Sequence, residues 1–249
     1  MDGNGRWAEN RGQPRAVGHI AGGHAVQRTV EAALDQGVRT LTLYAFSSDN
    51  WKRPLTETEN LMQLFGDYLR EQTPRCIESS VRVGVIGRRD RLGPSLLHEI
   101  DACEQATWPG QALRLRIAID YSARESLIEA ARLLRSSVGD KRAFASGIGE
   151  AVHEDEPAPD VDVLIRTGGE KRFSDLFGWD CQYAEVVFSD TMWPDFGPAD
   201  LQAAIAEFHQ RERRFGAVVP TSTTPDVAVP VLQRRGMSRP SNSQSTLSP

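Results

Sequence analysis

The sequence predicts an α/β fold in which a mainly parallel sheet is flanked by helices. Between residues 20 and 216, short apolar runs alternate with helical patterns, and such alternation is typical of βαβ units. The 249 residues are 39% hydrophobic and 25% charged, which is the composition of a globular protein with a sizeable core.

Five apolar runs predict the strands of this sheet. They are RTLTLYAF (39–46), VRVGVIG (81–87), LRLRIAID (113–120), DVLIRT (162–167) and AEVVFSD (184–190). Each is short and bounded by polar or glycine-containing segments, as expected for a buried strand.

Apolar residues at helical spacing predict the helices between these strands. The first helix ends before Gly37, a helix-stop signal, and the second opens with a capping box formed by Thr56 and Glu59. The second helix carries an apolar stripe of Leu61, Leu64, Phe65, Tyr68 and Leu69. Further helices are predicted over residues 95–106 and 123–135 and around 201–208.

Composition divides the chain near residue 217. Residues 217–249 are rich in Ser, Thr and Pro without sustained periodicity, which predicts a disordered tail. Residues 140–160, ending in HEDEPAPD, are expected to form an exposed linker.

Charge and cysteine content narrow the classes of function. A net charge of −5 argues against a general nucleic-acid binder. Three widely spaced cysteines without a CxxC pair favour a reducing cytoplasm over a disulfide framework or a zinc site. The sequence contains no apolar run of about 18 residues, the length that a membrane-spanning helix needs. This does not argue against transient contact with a lipid substrate.

Arginines cluster after the predicted strands, where ligands bind in parallel sheets. Arg53 follows FSSDNW, and Arg166 and Arg172 bracket TGGEK. Arg6 and Arg15, with His19, flank the glycine-rich opening segment. Each arginine taken singly is best explained as a surface residue. Three clusters at one sheet edge favour a ligand with several phosphates, because guanidinium forks bind phosphate oxygens at two points.

Two acidic residues and several aromatic residues lie near these clusters. The carboxylates of Asp2 and Glu185 are the hard ligands that Mg²⁺ takes together with phosphates, although Glu185 is equally explained as a salt-bridge carboxylate. The aromatic residues pack in the core or form an apolar slot beside a diphosphate clamp; they are Trp7, Phe46, Trp51, Phe173, Trp179 and Trp193.

Seven motifs in order give the chain a family resemblance. The motifs span residues 1–216 and are MDGNGRWA, GHIAG, LYAFSSDNWKRP, IRTGGEKRFS, YAEVVFSD, MWPDF and RERRFG. Together they resemble the cis-prenyltransferase family, whose bacterial archetype is undecaprenyl diphosphate synthase. The resemblance implies a single catalytic domain over 1–216, with a hydrophobic tunnel beside the sheet. It also implies Mg²⁺-dependent extension of an allylic diphosphate by isopentenyl diphosphate with cis geometry.

The resemblance assigns roles to the candidate residues. Asp2 is implied to bind Mg²⁺ and assist departure of the allylic diphosphate, with Glu185 as a second metal contact. The implied cradle for that diphosphate comprises Gly3, Asn4, Gly5, Arg6, Trp7, Arg15 and His19. The implied mobile loop for the second substrate comprises Ser47, Ser48, Asp49, Asn50, Trp51 and Arg53, with Asn50 in the place credited with proton removal. Isopentenyl diphosphate is implied to bind Arg166, Arg172, Phe173 and Ser174.

Three further properties follow from the resemblance. It implies a homodimer with residues 211–216 at or near the subunit contact. It implies a cytoplasmic enzyme that contacts the membrane peripherally when product is released. In the family a hydrophobic strand precedes the opening motif, so we expect that such a strand is missing before Met1.

The chain departs from the family pattern at three acidic residues. Asp120 and Asp175 stand where most relatives have Asn, and Asp180 stands where they have Gln. An added carboxylate repels diphosphate unless it is paired.

Three functions stay open. The first is a polyprenyl diphosphate synthase for glycan lipid carriers. The second is a synthase of short or irregular prenyl diphosphates, which the acidic replacements and the tail keep open. The third is a non-catalytic partner subunit, which is disfavoured because Asp2, Arg166, Arg172 and Glu185 are all present.

Overall fold

The computed structural model describes residues 1–134, 140–176 and 178–211. The predicted tail over 217–249 and the implied subunit contact over 212–216 lie outside these residues. The five strands are β1 (Thr40–Ser47), β2 (Val81–Ile86), β3 (Leu113–Tyr121), β4 (Val163–Arg166) and β5 (Glu185–Phe188). Each falls on a run that the sequence predicts to be a strand.

The strands pair in parallel, as predicted. β3 lies between β1 and β2 in a three-stranded sheet, and β4 pairs with β5 in a two-stranded sheet. Most β3 side chains are buried, and the apolar ones belong to two clusters, with Ile119 in the main core and Ala118 packed in a second cluster beside Ala123 of the next helix. The apolar core contains Phe46 of β1 and Ile119 of β3, each 1% exposed.

Two helices precede β1, four lie between β1 and β4, and one follows β5 among the described residues. They are α1 (Asn4–Glu9), α2 (Arg15–Asp35), α3 (Leu55–Glu78), α4 (Pro94–Thr107), α5 (Ala123–Leu133), α6 (Lys141–Ala151) and α7 (Pro198–Gln210). α2 ends before Gly37, whose φ of 70° is the left-handed conformation expected of a helix-stop glycine. Within the described ranges, no helix is both long enough and apolar enough to cross a membrane.

The predicted start of α3 is wrong in detail. α3 begins at Leu55 after Pro54, and no side chain caps it, so Thr56 and Glu59 do not form the expected capping box. Pro54 explains the difference, because proline disfavours helical backbone in the residue before it, whereas its fixed φ and missing N–H are tolerated at a helix start.

The linker predicted over residues 140–160 is also wrong over most of its length. Residues 141–151 form α6, whose first turn is capped by an Asp140 carboxylate oxygen 2.9 Å from the Ala143 nitrogen. Gly147 and Gly149 weakened the helical signal, since glycine is a poor helix former. Gly147 is explained by packing, because a Cβ there would lie 3.2 Å from the Leu134 side chain.

Candidate active site

A cavity of about 470 Å³ lies at the carboxyl ends of β1, β3 and β4. Its walls are apolar on one side, and α3 contributes the full predicted stripe of Leu61, Leu64, Phe65, Tyr68 and Leu69. Leu61 and Leu69 also belong to the buried core, so the stripe serves both packing and the cavity. The polar side of the cavity is formed by α1, α2, the segment after β1 and the segment after β4.

The opening segment is held against the β4 and β5 ends by its backbone. The Asp2 N–H donates to Thr167 Oγ1 at 2.9 Å, and the Asp2 carbonyl accepts from the Trp193 N–H at 3.0 Å. Gly3 then turns the chain into α1 with a φ of 105°, a conformation that favours glycine. These contacts place the Asp2 side chain in the cavity lining.

The Asp2 carboxylate is bound on both oxygens. Oδ1 accepts from the Gly3 N–H at 2.8 Å, and Oδ2 accepts from Arg166 Nη2 at 3.0 Å. Burial acts to raise the pKa of Asp2, but the hydrogen bond and charge of Arg166 outweigh it and hold the pKa below its ordinary value. Asp2 is therefore a carboxylate at neutral pH.

Arg166 also organises the segment that follows β4. Its guanidinium donates to the Arg172 carbonyl and, at 3.3 Å, to Ser174 Oγ. Glu170 pairs with Arg172 and, at 3.4 Å, with Arg6. The positive charges of Arg166 on β4 and Arg172 in the following loop therefore lie near that of Arg6 on α1.

Glu57 is a functional candidate that the sequence prediction missed. Its carboxylate lies 3.6 Å from Arg15 Nε, 3.5 Å from His19 Nε2 and 3.2 Å from Arg53 Nη1. It therefore links α2 with the residues between β1 and α3. No local motif marks Glu57, because its partners come from separate parts of the chain.

His19 is neutral at physiological pH in this setting. Burial lowers its pKa, the positive charge of Arg53 lowers it further, and Glu57 offsets part of the decrease. Gly18 beside it permits close contact of α1 with α2, since a Cβ there would lie 1.9 Å from the Asn4 carbonyl oxygen. The GHIAG motif thus places His19 next to the glycine-rich opening segment.

A short 3-10 helix, Ser48–Lys52, follows β1. The Asn50 side-chain oxygen accepts from the Ser47 N–H at 3.0 Å, and Ser47 Oγ accepts from the Asp49 N–H at 3.1 Å. These reciprocal bonds fix the turn and leave the Asn50 amide NH₂ as its hydrogen-bond donor.

The cavity brings together most of the residues predicted for the site. Its lining includes Asp2, Gly3, Asn4, Gly5, Arg6, Arg15, His19, Ser47, Asp49, Asn50, Arg53, Arg166, Arg172, Phe173 and Ser174. Trp7, Ser48, Trp51 and Glu185 lie outside this lining. Trp7 Nε1 instead donates to Asp195 at 2.7 Å, and the Glu185 carboxylate accepts from Arg211 at 2.7 Å. A metal-binding role for Glu185 stays a prediction.

The three acidic departures from the family pattern all have donors. Asp120 accepts from Arg91 at 2.8 Å, and Asp180 lies 3.3 Å from Arg116. Asp175 accepts a hydrogen bond from the Ser122 hydroxyl. Their negative charge is therefore engaged within the protein rather than directed at a ligand.

A second cavity, of about 610 Å³, lies elsewhere beside β2, β3, α4 and α6. Its charged residues pair with one another; for example, Glu154 lies 2.6 Å from Arg116 and 2.9 Å from Arg114. None of the site residues predicted from the sequence lines this second cavity.

Comparison with known proteins identifies the family. Residues 1–216 match the model of the family described as "Putative undecaprenyl diphosphate synthase". The chain belongs to this prenyltransferase family. It is 48% identical over 218 residues to isoprenyl transferase 1 of Bradyrhizobium diazoefficiens, covering 88% of this chain and 87% of that one.

Further relatives support the same family. The chain is 40% identical over 225 residues to the farnesyl-diphosphate-specific ditrans,polycis-undecaprenyl-diphosphate synthase of Francisella tularensis, covering 87% of this chain and 85% of that one. Among solved structures, lavandulyl diphosphate synthase from Lavandula x intermedia, in complex with dimethylallyl diphosphate, superposes with a TM-score of 0.80 at 29% identity, covering 87% of this chain and 95% of that one. A "probable undecaprenyl diphosphate synthase" from Campylobacter jejuni superposes with a TM-score of 0.70 at 32% identity, covering 78% of this chain and 92% of that one.

Proposed function

We propose that this prenyltransferase condenses isopentenyl diphosphate with an allylic diphosphate, such as farnesyl diphosphate, to give a cis-polyprenyl diphosphate. The observation that carries the proposal is one cavity with a cationic side and an apolar wall. The cations suit diphosphates, and the apolar wall suits a hydrocarbon chain. The named relatives at 40–48% identity support the same reaction.

The allylic diphosphate would bind at the start of α1 and α2. The first backbone N–H groups of a helix have no intrahelical partner, so those of Asn4, Gly5 and Arg6 are suited to phosphate oxygens. Arg15 and His19 face the same cavity from α2. Its hydrocarbon chain would lie along the apolar stripe of α3.

Isopentenyl diphosphate would bind at the end of β4, where Arg166, Arg172 and Ser174 face the cavity. Condensation forms a carbon–carbon bond to the allylic carbon as the allylic diphosphate leaves, and a proton is then lost from the isopentenyl unit. Negative charge builds on the leaving diphosphate, so cations and N–H groups held there stabilise the transition state more than the ground state.

Asn50 would orient the proton acceptor rather than accept the proton. An amide is a poor base, and its oxygen is already bonded to the Ser47 N–H at 3.0 Å. Its remaining NH₂ can hold a diphosphate oxygen in position for that proton.

The site fits Mg²⁺ bound through one carboxylate and the substrate phosphates. Asp2 is ionised and lines the cavity, and Mg²⁺ in proteins often takes only one or two carboxylates, with phosphates and water as its other ligands. Among the described residues, no group of three or more His, Cys, Asp or Glu side chains is placed to hold a metal by itself. When bound, Mg²⁺ would neutralise charge on the departing diphosphate.

We also propose that the enzyme is a cytoplasmic homodimer that contacts the membrane only to release product. The described cysteines, Cys76, Cys103 and Cys181, are all free, which agrees with a reducing compartment.

Product analysis tests the proposed reaction. Purified protein with farnesyl, geranyl or dimethylallyl diphosphate, labelled isopentenyl diphosphate and Mg²⁺ is expected to give a ladder of long products that chelation of Mg²⁺ abolishes. Products with only one or two added units would establish the short-chain alternative. Absence of turnover with all three allylic diphosphates would favour the non-catalytic alternative.

Enlarging Ala45 is expected to shorten the product. Ala45 lines the cavity from β1, and Ala45→Leu would fill space that a growing chain needs, removing about one or two isoprene units from the final length. Ala102→Leu, at an exposed position on α4, is the matched control. Chromatography of the labelled products measures the shift, and an unchanged distribution for Ala45→Leu would contradict this position for the chain.

A further inference from the structure

Ser48 and Trp51 belong to the turn that carries the cavity residues after β1, yet neither lines the cavity. Ser48 Oγ instead donates to an Asp120 carboxylate oxygen at 2.9 Å. Trp51 packs edge-on against Phe46, with ring centroids 5.2 Å apart. The side of the turn that faces away from the cavity is therefore attached to the ends of β1 and β3.

Asp120 is the centre of this attachment. Its residue is 0% exposed, and its carboxylate accepts from Arg91 Nε at 2.8 Å, from a second Arg91 nitrogen and from Ser48. The Arg91 guanidinium also lies 5.5 Å from the centre of the Trp51 ring. Two residues of the turn thus contact one ion pair.

The attachment of the turn depends on each partner of Asp120, because the Asp120 carboxylate is a buried charge. A buried carboxylate is stable only when paired and hydrogen-bonded, and removing one partner is far more costly than the net value of the pair. Two-point binding by Arg91 also fixes the direction of the carboxylate. The remaining lone pair that Ser48 uses therefore has a defined position.

We propose that Asp120 and Arg91 are positioning residues, which hold the 48–52 turn so that its own Asn50 and the preceding Ser47 face the substrates. The role rests on the proposed function, in which Asn50 of this turn orients the proton acceptor. It explains why Ser48 contributes to the site without touching the cavity. It also gives Asp120, one of the acidic departures from the family pattern, a task unrelated to binding diphosphate directly.

A double-mutant cycle tests the attachment. Asp120→Asn keeps the size of the side chain and its tolerance of the observed φ of 54°, but it removes the charge and one acceptor oxygen. Ser48→Ala leaves the ion pair intact. We expect each variant to lower kcat/KM for isopentenyl diphosphate about tenfold, with the double variant no worse than the poorer single variant. Additive losses would show that Ser48 acts independently of Asp120 and would overturn the proposal.

Hydrogen exchange provides a readout that does not depend on turnover. In Asp120→Asn, amide exchange in a peptide covering residues 46–54 is expected to rise about tenfold. Glu154→Gln is the matched control, because Glu154 is a 7% exposed carboxylate paired with Arg116 outside the site cavity. Equal exchange of the 46–54 peptide in both variants would overturn the positioning role. If the wild-type protein elongates no allylic diphosphate, the proposed function fails. The exchange comparison still decides whether Asp120 holds the turn.

Discussion

Asp2→Ala and Asp2→Asn are expected to lower turnover about a thousandfold, the scale observed when an electrostatic stabiliser of the transition state is removed. Asp2 is an ionised carboxylate at the polar side of the cavity, fixed by Gly3 and Arg166. Either change removes the charge that would hold Mg²⁺ beside the departing diphosphate. Asparagine retains an oxygen that can accept from the Gly3 N–H. A loss of turnover in Asp2→Asn is therefore due to the missing charge and not to a disturbed local fold.

Titration calorimetry separates the metal role from a structural one. Mg²⁺ is expected to strengthen binding of farnesyl diphosphate to the wild-type protein and to leave binding to Asp2→Asn unchanged. Asp67→Asn is the control, because the Asp67 side chain is 41% exposed against 39% for Asp2 and lies on the surface of α3. Turnover by Asp2→Asn above about a tenth of the wild-type rate would refute the assignment, since one lost oxyanion stabiliser costs more than that.

The strands were predictable because each is a short run rich in apolar residues. Burial differs between them: most side chains of β2 and β3 are buried, whereas those of β5 are partly or fully exposed. The path of β3, from Leu113 to Tyr121, follows from its alternating and then continuous apolar residues. Its three charged residues, Arg114, Arg116 and Asp120, are paired with residues of other segments.

The predicted capping box at Thr56 failed because Pro54 occupies the N-cap position of α3, two residues before Thr56, without a side-chain cap. The helix α6 was missed because Gly147 and Gly149 weaken its helical signal, while the tight packing at these positions is visible only in the structure.

The site was predictable where arginines, glycines and polar residues follow the carboxyl ends of strands. Arg166 and Arg53 are far apart in sequence and follow strands of two different sheets, but the ends of β4 and β1 line a common cavity. Glu57 and Arg91 could not be assigned in this way. Their roles depend on contacts with Arg15, His19 and Asp120 in other elements, and residue type alone does not distinguish them from surface charges.

Arg166→Lys is expected to reduce kcat/KM for isopentenyl diphosphate about a hundredfold, because an ammonium group cannot replace a planar guanidinium that binds several oxygens at once. The Arg166 side chain is 12% exposed and contacts Asp2, Ser174 and the Arg172 carbonyl. Lysine keeps the positive charge but cannot make these contacts through a planar fork. Steady-state kinetics with each substrate varied in turn measures the loss.

The pH dependence of turnover distinguishes this effect from a general loss of structure. Arg166 provides the largest contribution that lowers the pKa of Asp2, against a burial effect that raises it. With the fork removed, the pKa of Asp2 rises, so protonation and loss of activity are expected at higher pH than in the wild-type protein. Arg132→Lys is the control, since Arg132 forms a pair with Glu129 in which the side chains are 71% and 46% exposed, and such pairs contribute little. If Arg166→Lys loses activity while the acidic limb of its pH profile stays in place, then Arg166 binds substrate without setting the charge of Asp2, and the coupling of these two residues is refuted.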